Sequence, residues 1–154
     1  MVRQPKRIDT QDIVPPADEA LLRQACPDLD EWPQRWQCDA ADLAPGAAIV
    51  DTFTPFLLDL LRGALAKRTF NRHRDNLWLV GGEMIRRRYD DPALKRLPAE
   101  QLVRRLIDAD GGPLISSQIS EAEQNAVDAT CRKLHQFLTQ SNAVERLKAT
   151  HKFR

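Results

Sequence analysis

The chain has 154 residues, 42% of them hydrophobic and 29% charged, with a formal net charge of +1 at pH 7. That size and balance suit one domain with a sizeable core, or a smaller domain with an extension, and they exclude a disordered or fibrous chain. No apolar run approaches the ~20 residues of a bilayer span, no apolar stretch follows the basic start Met1–Arg7, and three cysteines (Cys26, Cys38, Cys131) offer no disulfide framework, which together point to a reducing cytoplasm.

The near-zero net charge hides an asymmetry. Residues 1–45 carry 5 basic and 9 acidic side chains, residues 67–105 carry 11 and 5, residues 106–140 carry 2 and 5, and the last fourteen carry 4 and 1. Only the middle and the tail therefore attract a polyanion, and the acidic amino-terminal third is available to neutralise them within the chain.

Residues 1–16, with Pro5, Pro15 and Pro16, read as an extended lead-in. A short helix is expected over Ala17–Ala25, with Asp18 and Glu19 in its first turn and Pro27 stopping it. A second short helix falls over Asp30–Trp36, Pro33 being tolerated near its start. Trp32 and Trp36 share a face four residues apart, as two anchors docking this arm on the body or as a platform for a ligand. Ala44-Pro45-Gly46 marks a break. Ala47–Ala66 is the most apolar helix, with Ile49, Val50, Phe53, Phe56, Leu57, Leu60, Leu61 and Ala64 as its stripe. Pro55 implies either a start near Thr54 or a kink.

Lys67–Tyr89 reads as one helix combining a clear core stripe with the densest positive charge. At 100° per residue Phe70, His73, Leu77, Val80, Gly81 and Met84 share a side that Trp78 and Ile85 widen. Thr69 is placed to cap its start. Arg72, Asp75, Glu83 and Arg86 occupy the opposite side. Leu79 lies among them, so another part of the chain or a partner covers it. Gly81-Gly82 costs about 1 kcal/mol per glycine relative to alanine, which close approach of another backbone would offset; otherwise the helix kinks or breaks there. Asp90-Asp91-Pro92 ends it, and Pro98 opens a helix to about Asp108 with Leu102, Val103, Leu106 and Ile107 inward. Asp110-Gly111-Gly112-Pro113 is a loop, and Ser120 and Glu123 form a capping box for a helix to about Gln140 with Val127, Cys131, Leu134 and Leu138 as its stripe.

The expected fold is all-α: a lead-in (1–16), an acidic helical arm (17–45), a four-helix domain (46–140) and a basic tail (141–154). The residues carry no catalytic signature. Cys26 and Cys38 lack ligand-spaced partners, His73, His135 and His151 are scattered, and Cys131 and His135 read as a buried thiol beside a surface imidazole, so no metal is expected. Gly81-Gly82 and Gly111-Gly112 lack the pattern of a phosphate loop, and His73-Arg74-Asp75 lacks the other parts of a kinase site. No enzyme and no cofactor are expected.

The cations remain. Lys67, Arg68, Arg72 and Arg74 open the central helix, Arg86, Arg87 and Arg88 close it, and Arg104 and Arg105 follow. Arginine dominates, which suits planar contacts to phosphate. Solvated faces also carry such runs, and Asp75, Glu83, Asp90 and Asp91 are at hand as partners.

Over Phe53–Leu138 a helix containing Phe53-Thr54-Pro55-Phe56-Leu57-Leu58-Asp59-Leu60-Leu61 leads through Leu65-Ala66-Lys67-Arg68-Thr69 into a second with His73 and Leu77. Leu97-Pro98-Ala99-Glu100-Gln101-Leu102 opens a third and Asp128–Leu138 supplies a fourth. This pattern resembles the SAM-like core-binding domain of tyrosine recombinases and phage integrases. The resemblance implies a four-helix domain that clamps one face of duplex DNA, from a mobile genetic element. It departs from the family where the catalytic domain would follow: His151-Lys152-Phe153-Arg154 mimics one element of it, and Tyr89, the sole tyrosine, precedes rather than follows that element. Arg72–Trp78 is also similar to segments of short bacterial proteins.

Three functions are therefore weighed. The first is a non-enzymatic accessory protein meeting duplex DNA through the nine cations from Lys67 to Arg105 named above. The second is a helical module for a protein partner or a second copy of itself, through Trp32, Trp36 and Leu79. In the third the acidic arm covers the basic helix and the patch has no ligand.

Overall fold

The computed structural model describes the backbone of residues 16–116 and 118–152 and the side chains of residues 17–116 and 118–140. The lead-in before Pro16 and the side chains of the basic tail lie outside the described residues. The fold is all-α, with no strand among the described residues beyond an isolated bridge between Asp108 and Gly111. In chain order the α-helices are α1 (Pro16–Ala25), α2 (Trp32–Trp36), α3 (Leu43–Arg62), α4 (Lys67–Asp90), α5 (Pro92–Lys95), α6 (Ala99–Leu106) and α7 (Glu121–Lys152), with 3₁₀ turns at Leu29–Glu31 and Ala40–Asp42.

Helix α3 begins four residues earlier than the Ala44-Pro45-Gly46 signal implied, and it runs through that signal. Pro45 falls in the first turn, where its missing N–H has no acceptor to lose. Gly46 is buried there, and a Cβ on it would stand 3.0 Å from the Pro33 Cβ, so glycine lets α2 lie against the start of α3. Pro55 neither starts nor ends the helix. Asp51 and Pro55 are both exposed, so the carbonyl that Pro55 leaves without a donor belongs to a solvent-facing turn. The helix stops at Arg62, and Ala64 lies exposed beyond it rather than in the stripe. By length and hydropathy Ala40–Arg62 matches a bilayer span, which counting uninterrupted apolar residues overlooked. Its Ile49, Phe53, Phe56 and Leu57 instead form the centre of the core.

Helix α4 crosses the molecule unbroken at Gly81-Gly82. The group that comes close is a side chain, not a backbone. The Trp36 ring lies flat enough on Gly81 that a Cβ there would fall inside its van der Waals envelope, and a Cβ on Gly82 would stand 3.2 Å from its Cδ1. The Trp36 indole donates to the Trp78 carbonyl at 3.0 Å, and Trp32 packs against it with ring centroids 5.7 Å apart. Leu22, Cys26, Leu29, Trp32 and Trp36 thus join the same core as Phe53, Leu77, Met84, Leu102 and Leu134. The expected stripe of α4 is buried throughout, but Thr69 does not cap it: Ala66 is the N-cap and offers no side-chain acceptor.

After α4, Asp91 accepts from the Ala93 amide at 2.9 Å and starts α5, a short helix that periodicity did not reveal. The capping box forms as expected, Glu123 N donating to Ser120 Oγ at 3.0 Å and Ser120 N to Glu123 Oε1 at 2.8 Å. Helix α7 then continues past Gln140 to Lys152. Its Cys131 is buried and burial pushes that thiol up to about 12, while His135 is half-buried.

Gly81→Ala should lower stability by about 1–3 kcal/mol through overpacking against Trp36, although propensity alone would raise it by ~1 kcal/mol. Gly82→Ala should cost less. Urea unfolding midpoints measure both, and a Gly81→Ala variant as stable as the parent would contradict the packing described.

Candidate nucleic-acid interface

The carboxyl-terminal half of α4 was expected to be an open basic surface with Glu83 on its outer side. Glu83 is in fact 4% exposed. Its carboxylate accepts from the Ser116 amide at 2.9 Å, the Ser116 hydroxyl at 2.7 Å and Arg87 Nε at 2.9 Å, and Arg86 lies 3.7 Å away. Burial alone would raise its pKa, but the bonds from Ser116 and Arg87 outweigh burial and hold it below the ordinary glutamate value. Arg87 also donates to the Leu114 carbonyl at 2.8 Å. This half of the helix therefore anchors the loop before α7.

Arg88 is still more enclosed. Its side chain is 12% exposed and pairs at 3.5 Å with Asp42, itself 4% exposed. Asp42 also accepts from the Cys38 amide at 2.8 Å and the Tyr89 hydroxyl at 2.8 Å, and Tyr89 reaches Asp39 at 3.0 Å. Burial pushes Asp42 up, yet these donors leave its pKa lowered. The hydrogen bond to Asp42 in turn raises the Tyr89 phenol. Here the acidic arm does cover the basic helix. Arg74 pairs with Asp75 at 3.0 Å and donates to the Ala25 carbonyl at 3.3 Å, and Arg104 pairs with Glu100 at 3.0 Å.

Five of the nine expected cations, Arg74, Arg86, Arg87, Arg88 and Arg104, are thus matched to carboxylates of the same chain. Lys67, Arg68, Arg72 and Arg105 are exposed and form no ion pair among the described residues. Three of these four gather at the amino end of α4. The first turn there has no acidic side chain, and two cations face the positive end of the helix dipole, a locally unfavourable placement.

The seam between α4 and α7 brings in a cation that spacing did not single out. His73 is buried with Nδ1 2.7 Å from Thr130 Oγ1, and Asn76 Nδ2 donates to Thr130 Oγ1 at 2.9 Å and to the Ala126 carbonyl at 3.1 Å. Burial lowers the His73 pKa, and the charges of Lys133 on α7 and Arg72 on α4 lower it further. Lys133 is exposed. It was invisible as part of the patch because only the packing of α7 on α4 brings it there.

Of the residues expected to face a partner, Trp32 and Trp36 are buried in the core and Leu79 is half-buried against it. Trp78 departs the other way: expected to widen the core face, it is 38% exposed. Two open grooves lie along α4. One, of about 590 Å³, is lined by Trp32, Arg35, Arg74 and Trp78, and the other, of about 540 Å³, by Arg68, Asn71, Arg72 and Ala126; Asp75 and Leu79 border both.

Comparison with protein-family models, with curated proteins and with solved structures returned no match.

Arg88→Glu should cost about 3–5 kcal/mol, because it leaves the enclosed Asp42 against a like charge, whereas Arg68→Glu should change stability by less than about 0.5 kcal/mol. Chemical unfolding of the two variants tests this directly. The His73 shift carries a pH dependence of the opposite sense to a paired histidine. An unfolded imidazole titrates near 6.5 and the folded one lower, so between those values only the unfolded chain takes up the proton. Stability should therefore fall as pH drops through 6.5 toward the folded value, and His73→Gln should remove that slope. Urea midpoints at neutral and mildly acidic pH measure it.

Proposed function

We propose that the protein is a non-enzymatic nucleic-acid-binding accessory protein, which meets the phosphate backbone of duplex DNA with Lys67, Arg68 and Arg72 at the amino end of α4 and with Lys133 of α7. One observation carries the reading: these cations are exposed and form no ion pair among the described residues, while those farther along α4 each contact a carboxylate of the chain, Arg86 and Arg87 sharing Glu83. Cations kept for folding need counter-charges. Cations kept for a polyanion need to stay without them until it arrives. The free amides of the first turn of α4 add donors suited to a phosphate oxygen.

The likeness to the core-binding domain of tyrosine recombinases supports duplex DNA over other polyanions, since Lys67-Arg68-Thr69 opens α4 directly after the short connection from α3. A mobile-element setting belongs to the same proposal, as does a cytoplasmic location. The alternative of a protein-interaction or self-associating module drew on Trp32, Trp36 and Leu79. Trp32 and Trp36 are buried within the chain, which takes away two of the three residues that motivated that alternative, whereas Leu79 is half-buried and borders both grooves.

Gel-shift titration on a blunt duplex tests the proposal. Affinity should fall with salt with a log–log slope of about −3 to −4 for three or four phosphates. Arg68→Glu with Arg72→Glu should abolish the complex, and Arg86→Glu should leave it nearly unchanged. No complex at low salt, or a complex indifferent to residues 68 and 72, would reject the reading.

A further inference from the structure

Trp78 is the one tryptophan of three that is not buried. Its neighbours explain the other two: Trp32 donates its indole N–H to Asp28 at 3.2 Å and Trp36 to the Trp78 carbonyl at 3.0 Å, each with its ring in the core. Nothing of that kind accounts for the open ring of Trp78. It stands on the wall of the larger groove between the arm and α4, which Arg35 and Arg74 also line. An exposed indole in a groove that also holds guanidinium groups offers a surface on which a base can stack.

The groove also continues toward the cations already described. Arg68, Arg72, Asp75 and Leu79 follow one another at helical spacing along α4, and the last two border both grooves. From Arg72 to Trp78 is six residues, about 9 Å along the helix axis. The carboxylates nearby are hydrogen-bonded within the chain and keep their charge. Asp28 accepts from Trp32, Asp75 from Arg74, and Glu123 from the Ser120 amide. Among the described residues Arg35 pairs with Glu31 four residues before it, at 3.3 Å and well exposed, a contact that an incoming phosphate readily replaces. Across the two grooves four arginines, Arg35, Arg68, Arg72 and Arg74, stand against three carboxylates, Asp28, Asp75 and Glu123, an excess of one positive charge.

The geometry points to an unpaired segment of nucleic acid as the occupant of the groove, with a base stacked on the Trp78 indole and its backbone led there from Arg68 and Arg72. This rests on the binding reading above and narrows it: the ligand is DNA with a single-stranded tail or opening next to a duplex, rather than an uninterrupted duplex.

Fluorescence anisotropy with a blunt duplex and with a duplex of equal phosphate count ending in an unpaired thymidine tail separates the two claims. The tailed ligand should bind more tightly by about 5-fold to about 150-fold, the range that one stacked base supplies. Trp78→Ala should erase that preference and leave blunt-duplex affinity unchanged, and Trp78→Phe should keep part of it. Binding of the tailed ligand should also quench tryptophan emission in the parent protein and not in Trp78→Phe. Equal affinity for the two ligands, or a preference and quench that survive replacement of Trp78, overturns this inference and leaves duplex binding standing. Failure to bind either ligand overturns both.

Discussion

The contact of the Trp36 ring with Gly81 and Gly82 is the constraint on which the rest of the molecule depends. It ties the arm to the middle of α4, and only glycine at position 81 lets the ring come so near. Two glycines inside a helix cost about 1 kcal/mol each, while burying an indole and satisfying its N–H on the Trp78 carbonyl returns more than that. Once the arm is seated there, Asp39 and Asp42 come within reach of Tyr89 and Arg88, and Ala25 comes within reach of Arg74.

That seating sorts the positive charge. The carboxyl-terminal arginines of α4 become structural, held by Glu83 and Asp42, and Glu83 extends the same network to Ser116. The amino-terminal cations lie beyond the arm's reach. A charge run that looks uniform along the chain is thus two populations in space. One is matched to carboxylates, and at the enclosed Arg88 losing the partner is expensive; the other is solvated and without a carboxylate partner among the described residues.

Much of the architecture was legible from periodicity. The buried face of α4, the stripe of α7 and the capping box at Ser120 follow from spacing and from residues whose chemistry is local. The start of α3 was not legible, because Pro45 and Gly46 signal a break unless the first turn happens to use them and Pro33 happens to lie alongside. Glu83 misled for a similar reason: on an isolated helix it belongs to the outer side, and only the loop donors at Ser116 make its burial tolerable. The candidate site was half legible. Lys67, Arg68 and Arg72 could be picked out by charge, but neither the pairing of Arg88 with a residue 46 positions earlier nor the influence of both Lys133 and Arg72 on His73 has any trace in local spacing.

The unequal ends of α4 give the molecule an electrical direction. With a net charge of only +1 there is little overall pull toward a polyanion, so what its field exerts is chiefly a torque. Toward the proposed polyanion the bare end, where cations and the positive pole of the helix coincide, would turn inward, and the end tied to Asp42 and Glu83 would trail. Alignment would precede touch, and a molecule nearly neutral as a whole would still land one way round.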